Sequence, residues 1–497
     1  MASIDSAEGN NLLFPIILLL PLLLLILKHF KTSPQPLPPG PFSWPILGNL
    51  LQLGNKPHIT LTQLSKTYGP IFSIRLGPRL VVVGSSQEAA IEILKTRDRV
   101  LSGRSPPHAA PPKSMKLNDL SFGWIVECND QWKYLRTMCR TELFSSRALE
   151  SQAGAREKMV MDVVRFINKM EGKAVKIRQV AFAANFNMLG NVMVSRDVIN
   201  FEHESVEGEI YRPLREMMEV GTTLNVSDLF PLFAGLDLQG IQTKSREWYK
   251  SLCKLWEDII IERRKRNTGD ASIPRDFLDA LINNGSTDAQ INMLLQDILT
   301  AGTDSSSSTI EWMMAELMKN PKYLKRVEEE IERETNQETI KESHLPHLTF
   351  LQACFKETLR LHPPAPLLIP HRAVEACQVM NYTIPKNAQV LVNFWAIGRD
   401  PKIWEDHLVF KPERFLNSSL DFKGNDFEYI PFSSGRRICP GLPMAAKHVP
   451  LLVGSMVQSF DWSLPNGEHP AHMDMNEKYG LTVTKEQPLL LIPNAKK

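Results

Sequence analysis

Apolar residues fall into distinct patterns along the chain. Leu12 to Leu27 is apolar throughout, with Pro15 and Pro21 inside the run. That run is short of the roughly 20 residues that cross a bilayer. Asn11 to Phe30 reaches that length if Lys28 and His29 extend toward the interface. Asp5 and Glu8 precede it, whereas Lys28 and Lys31 follow it, an asymmetry that puts everything downstream in the cytosol. The alternative is a cleaved signal peptide, which calls for a basic leading segment and a small-residue cleavage site. The expectation is therefore a luminal tail over 1–10, a transmembrane anchor over 11–30, a proline-rich hinge over 31–41 and one cytosolic domain over 42–497. Pro34, Pro36, Pro38, Pro39 and Pro41 stiffen the hinge around Gly40.

Beyond the hinge, two short β-rich runs, Ile71–Leu76 and Leu80–Val83, flank Gly77-Pro78-Arg79 and predict a hairpin. Leu481–Thr484 and Leu489–Ile492 flank a polar turn and predict another near the C-terminus. Most of the middle has helical period, so the expected class is mainly α with small β-sheets. The clearest helix runs from about Asp288 to Lys319. Thr287 and Gln290 have capping-box spacing, and Asn320-Pro321 stops it. Such a helix is about 48 Å long, enough to cross a domain and bring Ala301-Gly302-Thr303-Asp304-Ser305 to its centre. The acidic run Glu328–Glu330 with Glu332 and Glu334 reads as a solvated helix face. Arg263-Arg264-Lys265-Arg266 reads as a solvated helix end.

Composition changes this picture little. At 497 residues, length alone suggests several domains; the motifs argue for one large unit after the hinge. A formal charge of +2 gives no reason to expect nucleic acid. The six cysteines, Cys128, Cys139, Cys253, Cys354, Cys377 and Cys439, include no C-x-x-C pair and are too few for a disulfide scaffold. They read as reduced thiols and mostly as buried filler.

Cys439 is different. Phe432-Ser433-Ser434-Gly435-Arg436-Arg437-Ile438-Cys439-Pro440-Gly441 has the form F-x-x-G-x-R-x-C-x-G. A thiolate that binds haem iron needs cationic or N–H donors near the sulfur. It needs a tight backbone, which Gly435 and Gly441 permit. Haem propionates need cations, and Arg437 is placed to supply one. The bland alternative is a glycine-bearing loop with a buried cysteine.

On this loop the chain resembles the cytochrome P450 family, and looks like a plant A-type microsomal member. The resemblance spans Leu37-Pro38-Pro39-Gly40-Pro41 to the C-terminal strands. It implies the P450 fold, with haem b (iron protoporphyrin IX) between the long central helix and the cysteine loop, and Cys439 as axial ligand. Trp132 and Arg136, four apart on one helical face, are implied as propionate partners beside Arg437, with Arg372 as a further one. A half-buried Trp beside a surface Arg is the other reading. Phe432, Gly435 and Gly441 shape the loop, and Ala301 and Gly302 leave space against the haem plane. Asp304 and Ser305, in A-G-x-D-S where the family usually has A-G-x-D-T, are implied to pass protons to dioxygen. Glu357 and Arg360 of E-T-L-R are implied to lock with Arg414 of P-E-R-F. Lys133 and Arg140 are implied to face an acidic reductase, or else form a solvated face.

The resemblance also implies a pocket lined by Phe122–Ile125, Thr222–Leu229, the helix face with Leu294, Asp297 and Ala301, then Pro366–Ile369 and Tyr479–Leu481. Phe122, Asp297, Leu368 and Leu481 are its candidate substrate contacts. Asp297 reads either as a partner for a substrate ammonium or as a helix-surface acid. The implied protein is a single-pass enzyme of the endoplasmic reticulum membrane. NADPH–cytochrome P450 reductase supplies electrons, and a small hydrophobic substrate, an alkaloid, is hydroxylated with O2. Oxidative phenol coupling, ring closure or rearrangement without oxygen insertion is the alternative, as is monoterpenoid hydroxylation. A haem sensor without turnover is the reading from another class.

Overall fold

The computed structural model describes residues 36–107, 119–199, 216, 225–265 and 276–496. The anchor expected over 11–30 lies outside the described residues, and no helix within them is long and apolar enough to cross a membrane.

The helices that carry the argument are α1 (Pro57–Tyr68), α2 (Asp130–Met138), α3 (Ala153–Lys169), α4 (Ile177–Val194), α5 (Ile241–Lys265), α6 (Phe277–Asn283), α7 (Asp288–Lys319), α8 (Pro321–Thr335), α9 (Thr349–Leu361) and α10 (Leu442–Ser459). The strands are β1 (Ile71–Leu76), β2 (Arg79–Gly84), β3 (Val175–Lys176), β4 (His371–Arg372), β5 (Cys377–Val379), β6 (Tyr382–Ile384), β7 (Gln389–Val392), β8 (Phe460–Ser463), β9 (Glu477–Lys478), β10 (Thr484–Lys485) and β11 (Leu490–Ala495). The expectation of a mainly α chain with small sheets holds.

The largest sheet has the order β1-β2-β7-β4. β1 and β2 form the expected antiparallel hairpin, with Ile71 opposite Gly84. β2 runs parallel to β7, and β7 antiparallel to β4. One face of this sheet packs against α1 through Leu61, Phe72, Ile74, Val81 and Val83. Residues 36–41, read as hinge, lie against the sheets: Ser73 donates to the Pro38 and Pro39 carbonyls, and the Thr383 N–H to that of Pro36.

α7 begins and ends where the sequence places it. Thr287 and Gln290 form the reciprocal capping box, and Asn320 closes the helix. Every residue from Ser307 to Met318 is buried, because α4, α8, α9 and α10 surround that half.

Three expectations fail. The C-terminal runs do not pair with each other: β10 pairs with β9, whereas β11 lies between β3 and β8. The two ends of the polar turn are claimed by different partners, the Val483 N–H by the Pro364 carbonyl and the Leu489 N–H by the Glu311 carboxylate. Arg263 is not solvated; it is buried against Asp276 and Asp279 of the α6 N-terminus and donates to the Val194 carbonyl. Glu330 is buried too, and its carboxylate accepts from Phe350 and Leu351 N–H at 2.7 and 2.9 Å, capping α9.

The Glu357–Arg360–Arg414 lock forms as expected. Arg360 grips Glu357 through two bonds of 2.7 and 2.8 Å, and Arg414 reaches the same carboxylate at 3.1 Å. Both Glu357 and Arg360 are wholly buried. Arg360 also donates to the carbonyls of Gly398, His407 and Val409, so the ion cluster ties α9 to the irregular chain that leads toward the cysteine loop.

Candidate active site

The cysteine loop folds on itself. Cys439 N–H donates to the Phe432 carbonyl at 3.0 Å. Gly435 has φ +70°, and a β-carbon there would run into the Leu94 carbonyl, so glycine is required twice over. Gly441 is different from the expectation: its backbone is ordinary αR, and a β-carbon would lie 3.9 Å from the Cys439 sulfur. What Gly441 supplies is its N–H, which with that of Leu442 points at the sulfur from the start of α10. Burial pushes the Cys439 thiol up, while these two N–H groups and the Arg136 guanidinium favour the thiolate. Arg136 is held in place by its bond to the Ile438 carbonyl at 2.6 Å.

Beside the loop lies a group of basic side chains. Arg437 donates to the carbonyls of Ser102 and Ile125 at 3.0 and 2.8 Å and sits over the Trp132 ring. Trp132 in turn stacks on Phe122, 6.3 Å between centroids. Two further members belong to it. Arg104 is 4% exposed and donates through one terminal nitrogen to the Ile369 and Pro370 carbonyls, while its Nε has no partner. His371 is buried, donates from Nδ1 to the Leu101 carbonyl at 2.7 Å, and leaves Nε2 without a partner. Burial and the Arg437 charge push Arg104 down to about 9. Burial, then Arg104 and Arg437, push His371 well below its usual range. Nothing in the sequence marks Arg104; the family resemblance points not to His371 but to its neighbour Arg372.

That neighbour, Arg372, is committed in part. It donates to the Arg104 carbonyl and to Asn387, and pairs loosely with Glu127 at 3.7 Å. It buttresses Arg104 through the backbone, yet one of its terminal nitrogens has no hydrogen-bond partner, so Arg372 joins Arg104 and His371 as a side chain with a free nitrogen near Arg437.

Haem carries two carboxylates and an iron that accepts sulfur. Among the described residues, this cluster of cations keeps unpartnered nitrogens that suit an anion, and the thiol lies near Arg136 at a helix N-terminus. The donor set fits the cofactor.

At the midpoint of α7, Ala301 is exposed although its helix neighbours on other faces are buried. Gly302 does not face the same space: a β-carbon there would lie 2.8 Å from Leu189, so the glycine admits α4. Ser305 donates to the Ala301 carbonyl at 2.7 Å. Ser307 and Ser308 are buried, the first bonded to Thr303 and Asn185, the second to the Val483 carbonyl. Asp304 is held by Arg178 of α4 and by the Thr482 hydroxyl.

These bonds bring the segment after Tyr479 against α7. The Val483–Pro364 bond ties the chain that leads to Leu368 to the same segment. Ile369 and Leu481 present exposed apolar side chains, whereas Leu368 is buried. Of the expected Thr222–Leu229 segment, residues 222–224 lie outside the described residues. Asp297 is no helix-surface acid; its carboxylate turns onto the loop that carries Phe122. Lys133 and Arg140 are both exposed, Lys133 paired with Asp130.

The family model described as Cytochrome P450 matches residues 38–492. The chain is 47% identical over 466 residues to (S)-N-methylcoclaurine 3'-hydroxylase isozyme 1 of Papaver somniferum, covering 94% of this chain and 96% of that protein. It is 44% identical to corytuberine synthase of Coptis japonica, covering 96% of this chain and 98% of that protein. It is 40% identical to berbamunine synthase of Berberis stolonifera, covering 95% and 97% respectively.

Proposed function

The chain belongs to the cytochrome P450 family, haem-thiolate monooxygenases supplied with NADPH electrons by a reductase, and from that premise we propose that it hydroxylates a small hydrophobic alkaloid. The observation that carries the chemistry is the buried basic cluster beside a cysteine at a helix start. Cys439 would hold the iron. Arg104, His371, Arg437, Arg136 and Trp132 would hold the two carboxylates. Haem so bound supplies dioxygen activation.

The protein's own groups do the rest. Asp304 and Ser305 handle protons at the α7 midpoint. The Asp304 carboxylate bonds to Arg178, whose side chain is 32% exposed, which links the interior to outside water. The Ser305 hydroxyl donates to the Ala301 carbonyl, and its oxygen can still accept. The apolar side chains of Ile369 and Leu481 suit a hydrophobic substrate. The substrate class rests on the relatives, among them a hydroxylase acting on N-methylcoclaurine.

Coupling or ring closure without oxygen insertion is the second reading, favoured by the two relatives named as synthases. Product mass separates them. With a plant reductase, NADPH and a panel of benzylisoquinoline alkaloids, hydroxylation adds one oxygen atom and coupling removes hydrogen. NADPH oxidation independent of every alkaloid offered would sink both. Cys439→Ser is expected to abolish the thiolate-type carbon-monoxide band of the reduced protein; a surviving band would move the ligand elsewhere.

Attachment to the endoplasmic reticulum by residues 11–30, with 42–497 in the cytosol, is part of the same proposal. Exposed Phe42, Trp44, Ile46 and Leu51 lie on one side of the β1–β2 turn, and exposed Leu232, Leu236 and Leu238 follow Phe230 on its other side. Gly77 of that turn donates to the Leu47 carbonyl, and Arg79 to that of Asp228, so the two apolar groups are neighbours. Such a surface favours a lipid boundary.

A further inference from the structure

Among the described residues, the partners of Asp297 all come from one loop. Its Oδ2 accepts from the Ser121 hydroxyl at 2.8 Å and from the Gly123 N–H at 3.3 Å, and the Phe122 N–H adds to these. The Ser121 oxygen also accepts from the Trp124 N–H at 3.1 Å, and the Ser121 carbonyl from the Ile125 N–H at 3.0 Å. The other end of the loop is fixed to the cofactor side. The Ile125 carbonyl accepts from Arg437 and the Val126 carbonyl from the Arg104 N–H. Residues 121–126 therefore form a strap from the central helix to the cysteine loop, with Phe122 stacked on Trp132 between the two ends.

Among the described residues, no charged side chain bonds to Asp297. Cys139, just beyond α2, and Tyr249 of α5 are titratable groups among the described residues that feel its charge. Burial pushes Cys139 up to about 12 and Tyr249 higher still, so both are neutral. The donors that favour the Asp297 carboxylate are a hydroxyl and backbone amides, with no basic side chain among them. A group whose partners are all neutral donors of one loop is built to hold that loop.

We propose that Asp297 is a positioning residue, the latch that closes the 121–126 strap over the substrate side, and that it does not serve as counter-ion for a substrate amine. The proposal rests on the monooxygenase reading above. An acid at this position has two separable properties, charge and an acceptor oxygen, and the latch needs only the second.

Asp297→Asn keeps an oxygen where Oδ2 accepts both Ser121 and Gly123, but carries no charge. Asp297→Ala removes the acceptor and strands buried donors. The holoenzyme with reductase would be assayed on N-methylcoclaurine and on an N-acetyl analogue that lacks the basic nitrogen. Expected is a KM within about twofold of wild type for Asp297→Asn on both compounds. For Asp297→Ala it is a KM raised roughly tenfold on both, with kcat little changed. Hydrogen exchange at the Phe122 and Gly123 amides, measured on the substrate-free holoenzyme, should quicken in Asp297→Ala and stay near wild type in Asp297→Asn. Ser121→Ala, which keeps the carboxylate, should quicken it in part.

Loss of activity in Asp297→Asn on the amine alone would make the acid a counter-ion and overturn the latch. Exchange in Asp297→Asn as fast as in Asp297→Ala would overturn it as well. Should wild type turn over neither compound, the substrate reading fails, and the exchange arm still decides the latch.

Discussion

Single side chains here owe their properties to what surrounds them. Burial pushes the Asp297 carboxyl up to about 6, against the hydrogen bonds that favour its ionised form. A folded value above the unfolded one gives a contribution that is complete below the unfolded value of 3.8 and lost as pH rises through about 6. Asp297→Asn should therefore gain stability relative to wild type as pH rises from about 4 to about 6.5. Thermal unfolding of both proteins across that range checks it, and parallel curves would mean the carboxyl does not titrate there. His371 makes a related point. Its Nδ1–H is committed to the Leu101 carbonyl, so the neutral ring presents a bare Nε2. An anion opposite it would draw a proton onto that nitrogen. Arg104→Gln should lower the haem content of purified protein, read as the ratio of haem to protein absorbance, because one cation of the cluster is lost. Arg372→Gln should lower it less; the reverse order would restore Arg372 to the role the family resemblance implies.

At the scale of elements, charge runs mislead. Glu328, Glu329 and Glu330 are consecutive, yet only Glu330 points into the groove where α8 meets α9. There it satisfies two N–H groups at the start of α9 that have no partner inside that helix. Glu330→Ala is expected to destabilise the fold by about 1–3 kcal/mol, since two buried donors lose their acceptor. Glu329→Ala, at an exposed position paired with Lys325 at 3.8 Å, should change little. Denaturant unfolding of the two variants tests this, and equal midpoints would return Glu330 to the solvated face. The same lesson holds for Arg263, which the basic run disguises as a helix end. Period identifies α8 and α5 as helices and sets which residues share a side. The neighbour that covers that side is not written locally.

Across the whole molecule, Arg360 is the tie between helix and loop. Its guanidinium makes two bonds to Glu357 and one each to the carbonyls of Gly398, His407 and Val409. No lysine can make five such bonds in a plane, so Arg360→Lys should fail much as Arg360→Ala does. Removing one member of a buried ion cluster costs about 3–5 kcal/mol. The expected outcome is little soluble haem-loaded protein from either variant, compared with wild type at equal expression. Normal haem loading in the lysine variant would show that charge alone suffices.

The residue pattern by itself determined the parts that depend on near neighbours in the chain. These are the β1–β2 hairpin with its turn, α7 from capping box to Asn320-Pro321, and the spacing of the cysteine loop. Glu357, Arg360 and Arg414 were legible because three separate motifs occur in one order. Only the tertiary structure decided the roles that depend on distant partners: Leu189 against Gly302, the strap on Asp297, Arg104 and His371 beside Arg437, and the separate sheets of β10 and β11. Hydrogen bonds and ion pairs act over a few ångströms in space. Helical and strand periods describe only which residues share a side, and say nothing of what lies opposite it.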